Sequence, residues 1–453
     1  MHRSFFSLHP LCYPVLFFAL SILAGGILLH LDPVAGSCSL SWLDAFFTAT
    51  SATCVTGLAV VDTGATFGRF GQSVILVLIQ AGGLGIMTLA SLALYLFRQR
   101  VSLTDRIAVG QNLLHDASFR LGRFLVSIVL MTLVIESAGV ILLLRLTDLS
   151  LFAAVFHAVS AFCNAGFSLF SDSLSRWQGD VGVNLVFMIL IILGGMGFSV
   201  LADIGRWTRR KVARSGRRDV VRLSWYSRVV LQTSLILIVA GWLLLFLAEY
   251  LLPDRPAGGW QVALLSSLFQ SVTCRTAGFN TVDIGQMTNV SLLVMMLLMW
   301  VGGAPGSTAG GIKVTTFRVM TAFFAAQFRG RRQAVINGIA AGRDTMNRAI
   351  VLTLYSLILL AVAVFLLDVS ETGGMPAAQA RGMGLSLVFE AVSALGTTGL
   401  STGLTGSLSG FGKLIIMALM FVGRLGPLIF LAIVQDLQKE EVYFRPEGEL
   451  LIG

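Results

Sequence analysis

Apolar runs long enough to cross a bilayer, which takes about 20 residues, alternate along this chain with shorter, more amphipathic runs. The order repeats. A first unit predicts a long helix near 12–31, a short helix near 42–53, a polar loop at 54–62 and a second long helix near 71–97. Unit two predicts long helices near 123–146 and 182–205 around a short one at 151–162. Unit three predicts them near 227–252 and 287–327 around 260–273, and unit four near 347–367 and 411–435 around 382–394. The chain thus divides into 1–100, 101–210, 211–335 (with an interrupted second helix) and 336–453 with a C-terminal tail.

The loop after each short helix carries one central glycine: Gly57, Gly166, Gly278 and Gly399, which are 109, 112 and 121 residues apart by subtraction of their positions. Each is followed by Leu or Phe, and Gly57 and Gly278 are each followed by an Asp-x-Gly at Asp62 and Asp283. Near-constant spacing of a shared motif marks an internal repeat. Hydrocarbon cannot satisfy backbone N–H and C=O groups, so loops at membrane depth persist only where protein buries them or where they line a watery cavity. The predicted fold is an all-α membrane protein of four pseudo-symmetric helix–pore loop–helix repeats around one central pore, with eight spanning helices.

Composition agrees: 56% of residues are hydrophobic and 12% charged, well below the share of about 25% usual in soluble domains. The net charge of +9 is read by position and does not point to a nucleic-acid partner. Arg206, Arg209, Arg210, Lys211, Arg214, Arg217, Arg218, Arg222 and Arg228 crowd one connection, and 98–123 and 329–348 are also Arg-rich. The opposite side holds Asp32, Asp44, Asp62, Asp172, Asp180, Asp254, Asp283, Asp368 and Glu371. Positive loops face the cytoplasm, so both termini are expected inside a plasma (inner) membrane, with the four loops entering from an acidic outer vestibule that attracts cations. The Arg-rich face also fits anionic lipid. The N-terminal apolar run, Leu11–Leu31, is longer than the core of a signal peptide and is read as an uncleaved span. Five cysteines without metal-ligand spacing read as packing residues.

A dehydrated monovalent cation needs its hydration oxygens replaced, and rings of backbone carbonyls do this. The candidate strips are Cys54, Val55, Thr56 and Gly57; Cys163, Asn164, Ala165 and Gly166; Arg275, Thr276, Ala277 and Gly278; and Gly396, Thr397, Thr398 and Gly399. Arg275 would repel an ion on the axis, so it is expected behind its loop, bonded to carbonyls or to an acid such as Glu390. A second special stretch, Gly302–Thr316, interrupts the second helix of unit three, and its gate candidates are Gly302, Gly303, Ala304, Pro305, Gly306, Ser307, Thr308, Ala309, Gly310 and Gly311. Its composition cannot sustain a helix, and a broken helix lining a cavity can gate it. The counterparts 80–87, 193–198 and 422–427 read as milder, and the last contains Arg424, a charge inside a span and so a functional candidate.

The strips TCVTGL, CNAGFS, CRTAGFNT and GTTGLS, the interruption GGAPGSTAGGIK and Arg424 together resemble the Trk/Ktr/HKT superfamily of potassium transporters over essentially the whole chain. With no helix pair ahead of the first unit, it looks more like a KtrB-type than a TrkH-type subunit. The resemblance implies a homodimeric potassium uptake subunit controlled by a cytoplasmic, nucleotide-binding KtrA-like ring. It implies no cofactor bound by this chain, with K+ as the transported ion at the filter and Na+ as a candidate activator. In that family glycine at the first strip goes with potassium preference. The rival readings are a sodium-coupled secondary cation transporter with alternating access and a membrane enzyme. The latter is disfavoured because His157, Glu136, Glu249 and Glu390 fall on different helices, with His157 read as packing.

Overall fold

The computed structural model describes residues 12–32, 40–84, 121–213, 222–250, 259–376, 380 and 382–426. Fourteen helices longer than one turn lie within them. The first unit contains α1 (Cys12–His30), α2 (Trp42–Thr53) and α3 (Arg69–Gly83). The second contains α4 (Leu121–Leu146), α5 (Leu151–Phe162), α6 (Val181–Gly195) and α7 (Phe198–Ala213). The third contains α8 (Trp225–Tyr250), α9 (Trp260–Thr273), α10 (Asn289–Trp300) and α11 (Val314–Phe328), and the fourth α12 (Arg343–Thr372), α13 (Met383–Gly396) and α14 (Gly410–Leu425).

The short helices α2, α5 and α9 begin and end where the sequence predicts them, because local chemistry fixes their ends. Ser41 and Ser150 cap the first turns of α2 and α5, accepting from Asp44 N at 3.1 Å and Ala153 N at 3.3 Å. Cys54, Cys163 and Cys274 are the C-caps of α2, α5 and α9, and all three are buried free thiols. Buried faces of these helices form the centre of the molecule, while the long outer helices show Leu, Ile and Val outward, as in Leu130, Leu235, Ile236 and Ile358. Among the described residues, Val126–Leu146, Trp225–Glu249 and Arg343–Thr372 are each long and apolar enough to cross a membrane, and the bent pair α6–α7 would make a fourth.

The second unit departs from expectation. Its second helix is not continuous over 182–205 but turns by 104° between α6 and α7. Gly197 at the bend has φ +85°, and the freed N–H of Phe198 donates to Gly306 O at 3.1 Å. A tertiary partner thus makes a sharp corner of a sequence that reads as a mild kink. The connection 329–348 is not a plain loop either: β1 (Val335–Ile336) and β2 (Ile339–Ala340) form an antiparallel hairpin turned by Asn337 and Gly338, both at positive φ. Trp225 Nε1 donates to Ile336 O at 2.9 Å, pinning the hairpin to the start of α8. The predicted extension of α3 to residue 97, that of α14 to 435, the C-terminal tail, Asp254, and Arg214, Arg217 and Arg218 lie outside the described residues.

Candidate functional site

Four loops follow α2, α5, α9 and α13, and their backbones share one conformation. Val55, Asn164, Thr276 and Thr397 have φ of 51–68°, and two residues on Gly57, Gly166, Gly278 and Gly399 have φ of 69–94°. Two positive-φ residues separated by one other recur in all four loops, a backbone path that L-residues rarely adopt. Polar groups inside each unit fix the turn. Ser51 Oγ accepts from Gly57 N at 3.0 Å and Ser393 Oγ from Gly399 N at 3.0 Å; Ser160 Oγ donates to Phe167 O at 2.8 Å and Thr273 Oγ1 to Phe279 O at 2.6 Å. These hydroxyls lie in the sequence five or six positions before each glycine but were not singled out by its reading.

Between units the four loops close on one another. A Cβ on Gly57 would collide with Ala165 O, on Gly166 with Ala277 O, on Gly278 with Thr398 O and on Gly399 with Thr56 O, each under 3.0 Å. The contact runs from each unit to the next and from the fourth back to the first. Only glycine fits such a junction, since it also needs positive φ. The sixteen strip residues are therefore brought together. All are buried except Gly57, Gly166 and Gly399 among those described, and the hydroxyls of Thr56, Thr397 and Thr398 find no protein partner.

Arg275 does not reach Glu390. Its guanidinium turns behind the loop and donates to Ser234 O at 3.2 Å and Gly302 O at 3.3 Å. Glu390 is instead held by its own unit, accepting from Ser401 Oγ at 2.7 Å, Thr402 N at 3.0 Å and Thr405 Oγ1 at 2.6 Å. These partners follow Gly399 in sequence, so the carboxylate braces the fourth loop.

Beneath the loops lies the interrupted segment between α10 and α11. Gly302 N donates to Ile312 O at 2.8 Å and Val314 N to Gly303 O at 3.1 Å, closing the segment into a lobe. Ala304 N donates to Gly195 O at 3.0 Å, Thr308 N to Gly194 O at 3.3 Å, and Tyr226 Oη to Pro305 O at 3.2 Å. The guanidinium of Arg424, which is buried, donates both to Thr308 O and to Gly82 O. One side chain of unit four thus ties the lobe of unit three to unit one. Gly310 packs so closely on Thr397 that a Cβ there would strike its side chain, placing the lobe directly against the fourth strip. Lys313 falls within the stretch 302–316 but was given no role from sequence: its ammonium donates back to Ala309 O at 2.6 Å, a second cation beside the lobe. Gly82, Gly194 and Gly423 make one shared contact, lying against the carbonyls of Thr53, Phe162 and Leu395 near the ends of α2, α5 and α13. Arg424 stands one place after the last of these, where the first two units have Gly83 and Gly195.

Asp62, Asp283, Asp44 and Asp172, four of the acidic residues expected to form an outer vestibule, each have a local partner. Asp62 Oδ1 accepts from Gly64 N at 2.9 Å and Asp283 Oδ1 from Gly285 N at 3.0 Å, which explains the repeated Asp-x-Gly as a turn cap. Asp44 pairs with Lys413 at 2.7 Å, joining the first and fourth units. Asp172 pairs with Arg176 at 2.7 Å, and this hydrogen bond holds its carboxyl below the ordinary aspartate range. His157 packs as expected, stacked on Phe170 with centroids 5.0 Å apart and bonded to Ala153 O. Glu136, Glu249 and Glu390 belong to separate hydrogen-bond groups.

These features define a helical membrane protein with a cluster of buried polar loops at its centre. The chain belongs to the TrkH family of cation transport proteins, which matches residues 22–440; that family transports cations and is not one of enzymes. It is 39% identical to the Ktr system potassium uptake protein B of Bacillus subtilis (strain 168) over 96% of this chain and 95% of the relative. It is 36% identical to the protein of the same name from Vibrio alginolyticus over 95% and 92% of the two chains. It is 35% identical to the potassium/sodium uptake protein NtpJ of Enterococcus hirae over 96% and 95%. Its fold matches the crystal structure of the potassium transporter TrkH from Vibrio parahaemolyticus with a TM-score of 0.73 at 19% identity, over 96% of this chain and 86% of that one.

Proposed function

We propose that this chain is the ion-translocating, KtrB-type membrane subunit of a potassium uptake system. The observation that carries the reading is the closed succession of four glycine junctions, each set against a carbonyl of the next loop. On this reading the four units, 1–100, 101–210, 211–335 and 336–453, supply eight spans around one pore. K+ sheds water and is coordinated by carbonyls of the strips ending at Gly57, Gly166, Gly278 and Gly399. The strips are held from behind by hydroxyls and by Arg275, so the coordinating geometry is set before the ion arrives.

Below this filter, Gly302–Gly311 is the gate. The lobe occupies the path, and Arg424 and Lys313 add positive charge where a dehydrated cation would wait, in surroundings poor in water that screen them little. Opening requires the lobe to release Gly194 and Gly195 and to part from Arg424. Both termini face the cytoplasm of a plasma (inner) membrane. The subunit works as a homodimer with a cytoplasmic nucleotide-binding ring of the KtrA kind, a reading supported by relatives whose names place them in Ktr systems. The chain itself binds no cofactor, and sodium acts as an activator. Four like units and membership of this family speak against the sodium-coupled alternating-access reading.

Purified protein in liposomes, loaded with potassium and diluted into radioactive rubidium, tests this. Uptake is expected to be competed by external K+ at concentrations about tenfold or more below those of Na+. Equal competition by the two ions would remove potassium as the preferred substrate.

A further inference from the structure

Beside the hairpin lies an open cleft of about 270 Å³ that the transport reading leaves without a role. One wall is a single face of α11: Arg318, Ala322, Ala326 and Arg329 follow helical spacing, so small side chains form a floor with a guanidinium at each end. Arg331, whose N–H donates to Ala326 O at 2.8 Å, and Val335 of the hairpin close the other wall. No carboxylate lines the cleft, and Arg318, Arg329 and Arg331 form no ion pair among the described residues. Three uncompensated arginines around a concave, alanine-floored site favour a ligand with phosphate oxygens, which a guanidinium fork binds in pairs.

The neighbouring surface indicates where that phosphate comes from. Phe324 is 52% exposed and Phe328 is 90% exposed. Phe328 stands one residue before Arg329, about 100° around the helix from it, whereas Phe324 lies on nearly the opposite side from Ala322 and Ala326. An almost fully exposed phenyl ring next to Arg329 at the end of this helix suits a bilayer interface, with the ring among acyl chains and the guanidinium at the headgroups. A soluble phosphate would have no use for that ring.

We propose that the cleft bounded by Arg318, Arg329 and Arg331 binds the phosphate headgroup of an anionic phospholipid. The lipid would brace α11, the helix that follows the interrupted segment, against the hairpin. This assignment requires only that the chain sits in a bilayer and stands apart from which ion is carried.

Native mass spectrometry of the delipidated full-length protein, titrated with dioleoyl-phosphatidylglycerol or dioleoyl-phosphatidylcholine, tests it. The wild type is expected to bind phosphatidylglycerol in preference to phosphatidylcholine. The triple variant Arg318→Gln, Arg329→Gln, Arg331→Gln should bind phosphatidylglycerol about a hundredfold more weakly. Arg206→Gln, Arg209→Gln, Lys211→Gln removes the same charge elsewhere and should leave the tight site intact. Unchanged binding by the first variant, or an equal loss in the second, overturns the proposal. So does displacement of the lipid from the wild type by equimolar inorganic phosphate, which would make this a soluble-phosphate site. Should the triple variant fail to fold, Arg329→Gln alone, a change at an exposed position, must still weaken binding, and no loss there is equally fatal.

Discussion

Replacing Gly57 by serine is expected to lower the preference for potassium over sodium by about tenfold or more, a change of 1.4 kcal/mol or greater in relative ion binding. Two costs fall on one residue. Gly57 has φ +94°, a conformation that costs an L-residue roughly 1–2 kcal/mol. The new Cβ also collides with Ala165 O, a carbonyl of the next strip. Relief of the collision displaces that carbonyl, and the hydroxyl adds a ligand of different reach. Because the junctions link each loop to its neighbour, the disturbance spreads beyond the first unit. Whole-cell uptake of potassium and sodium by the variant checks this. Unchanged affinity for both ions would mean that the Gly57 junction does not shape selectivity.

Deleting Ala304–Gly310 is expected to raise flux severalfold and to make it independent of the regulatory ring, because the lobe and its hold on Arg424 go together. Arg424→Ala should act in the same direction but more weakly. It removes the charge and the ties to Thr308 O and Gly82 O, yet leaves the lobe bonded to Gly194 and Gly195. A purely structural role predicts the opposite for both variants: buried carbonyls lose their partners, at about 1–3 kcal/mol for each unsatisfied group, and assembly suffers. Flux measured on purified variants whose dimers are intact separates the two. Wild-type, ring-dependent flux after the deletion would take the lobe out of the mechanism.

What the sequence made legible was local. The short helices and their loops could be placed to within a residue or two because apolar patterning and loop glycines act on neighbours in the chain, and at α2 and α5 the Ser41 and Ser150 caps fix the starts. The interruption at 302–311 was equally plain, since Gly, Pro, Ser and Thr in such density leave no helical alternative. Contacts between distant units were not legible. The 104° corner at Gly197 depends on an acceptor at Gly306, more than a hundred residues away. Arg275 was expected to seek carbonyls or Glu390, and only the packing of α8 and α10 decides for Ser234 O and Gly302 O. The hairpin is a different case. Asn337-Gly338 between Val-Ile and Ile-Ala is a short-range signal of a tight turn and was readable, but strands are not sought in a chain dominated by long apolar helices.

The claim on which the rest depends is that a cation sits among the four glycine junctions. Crystals of the protein grown in rubidium and measured at the rubidium absorption edge test it most directly. The account predicts anomalous density enclosed by the strips ending at Gly57, Gly166, Gly278 and Gly399, weakened in Gly57→Ser and displaced by potassium more readily than by sodium. Anomalous density bound elsewhere in the protein, with none among the four strips, would contradict it.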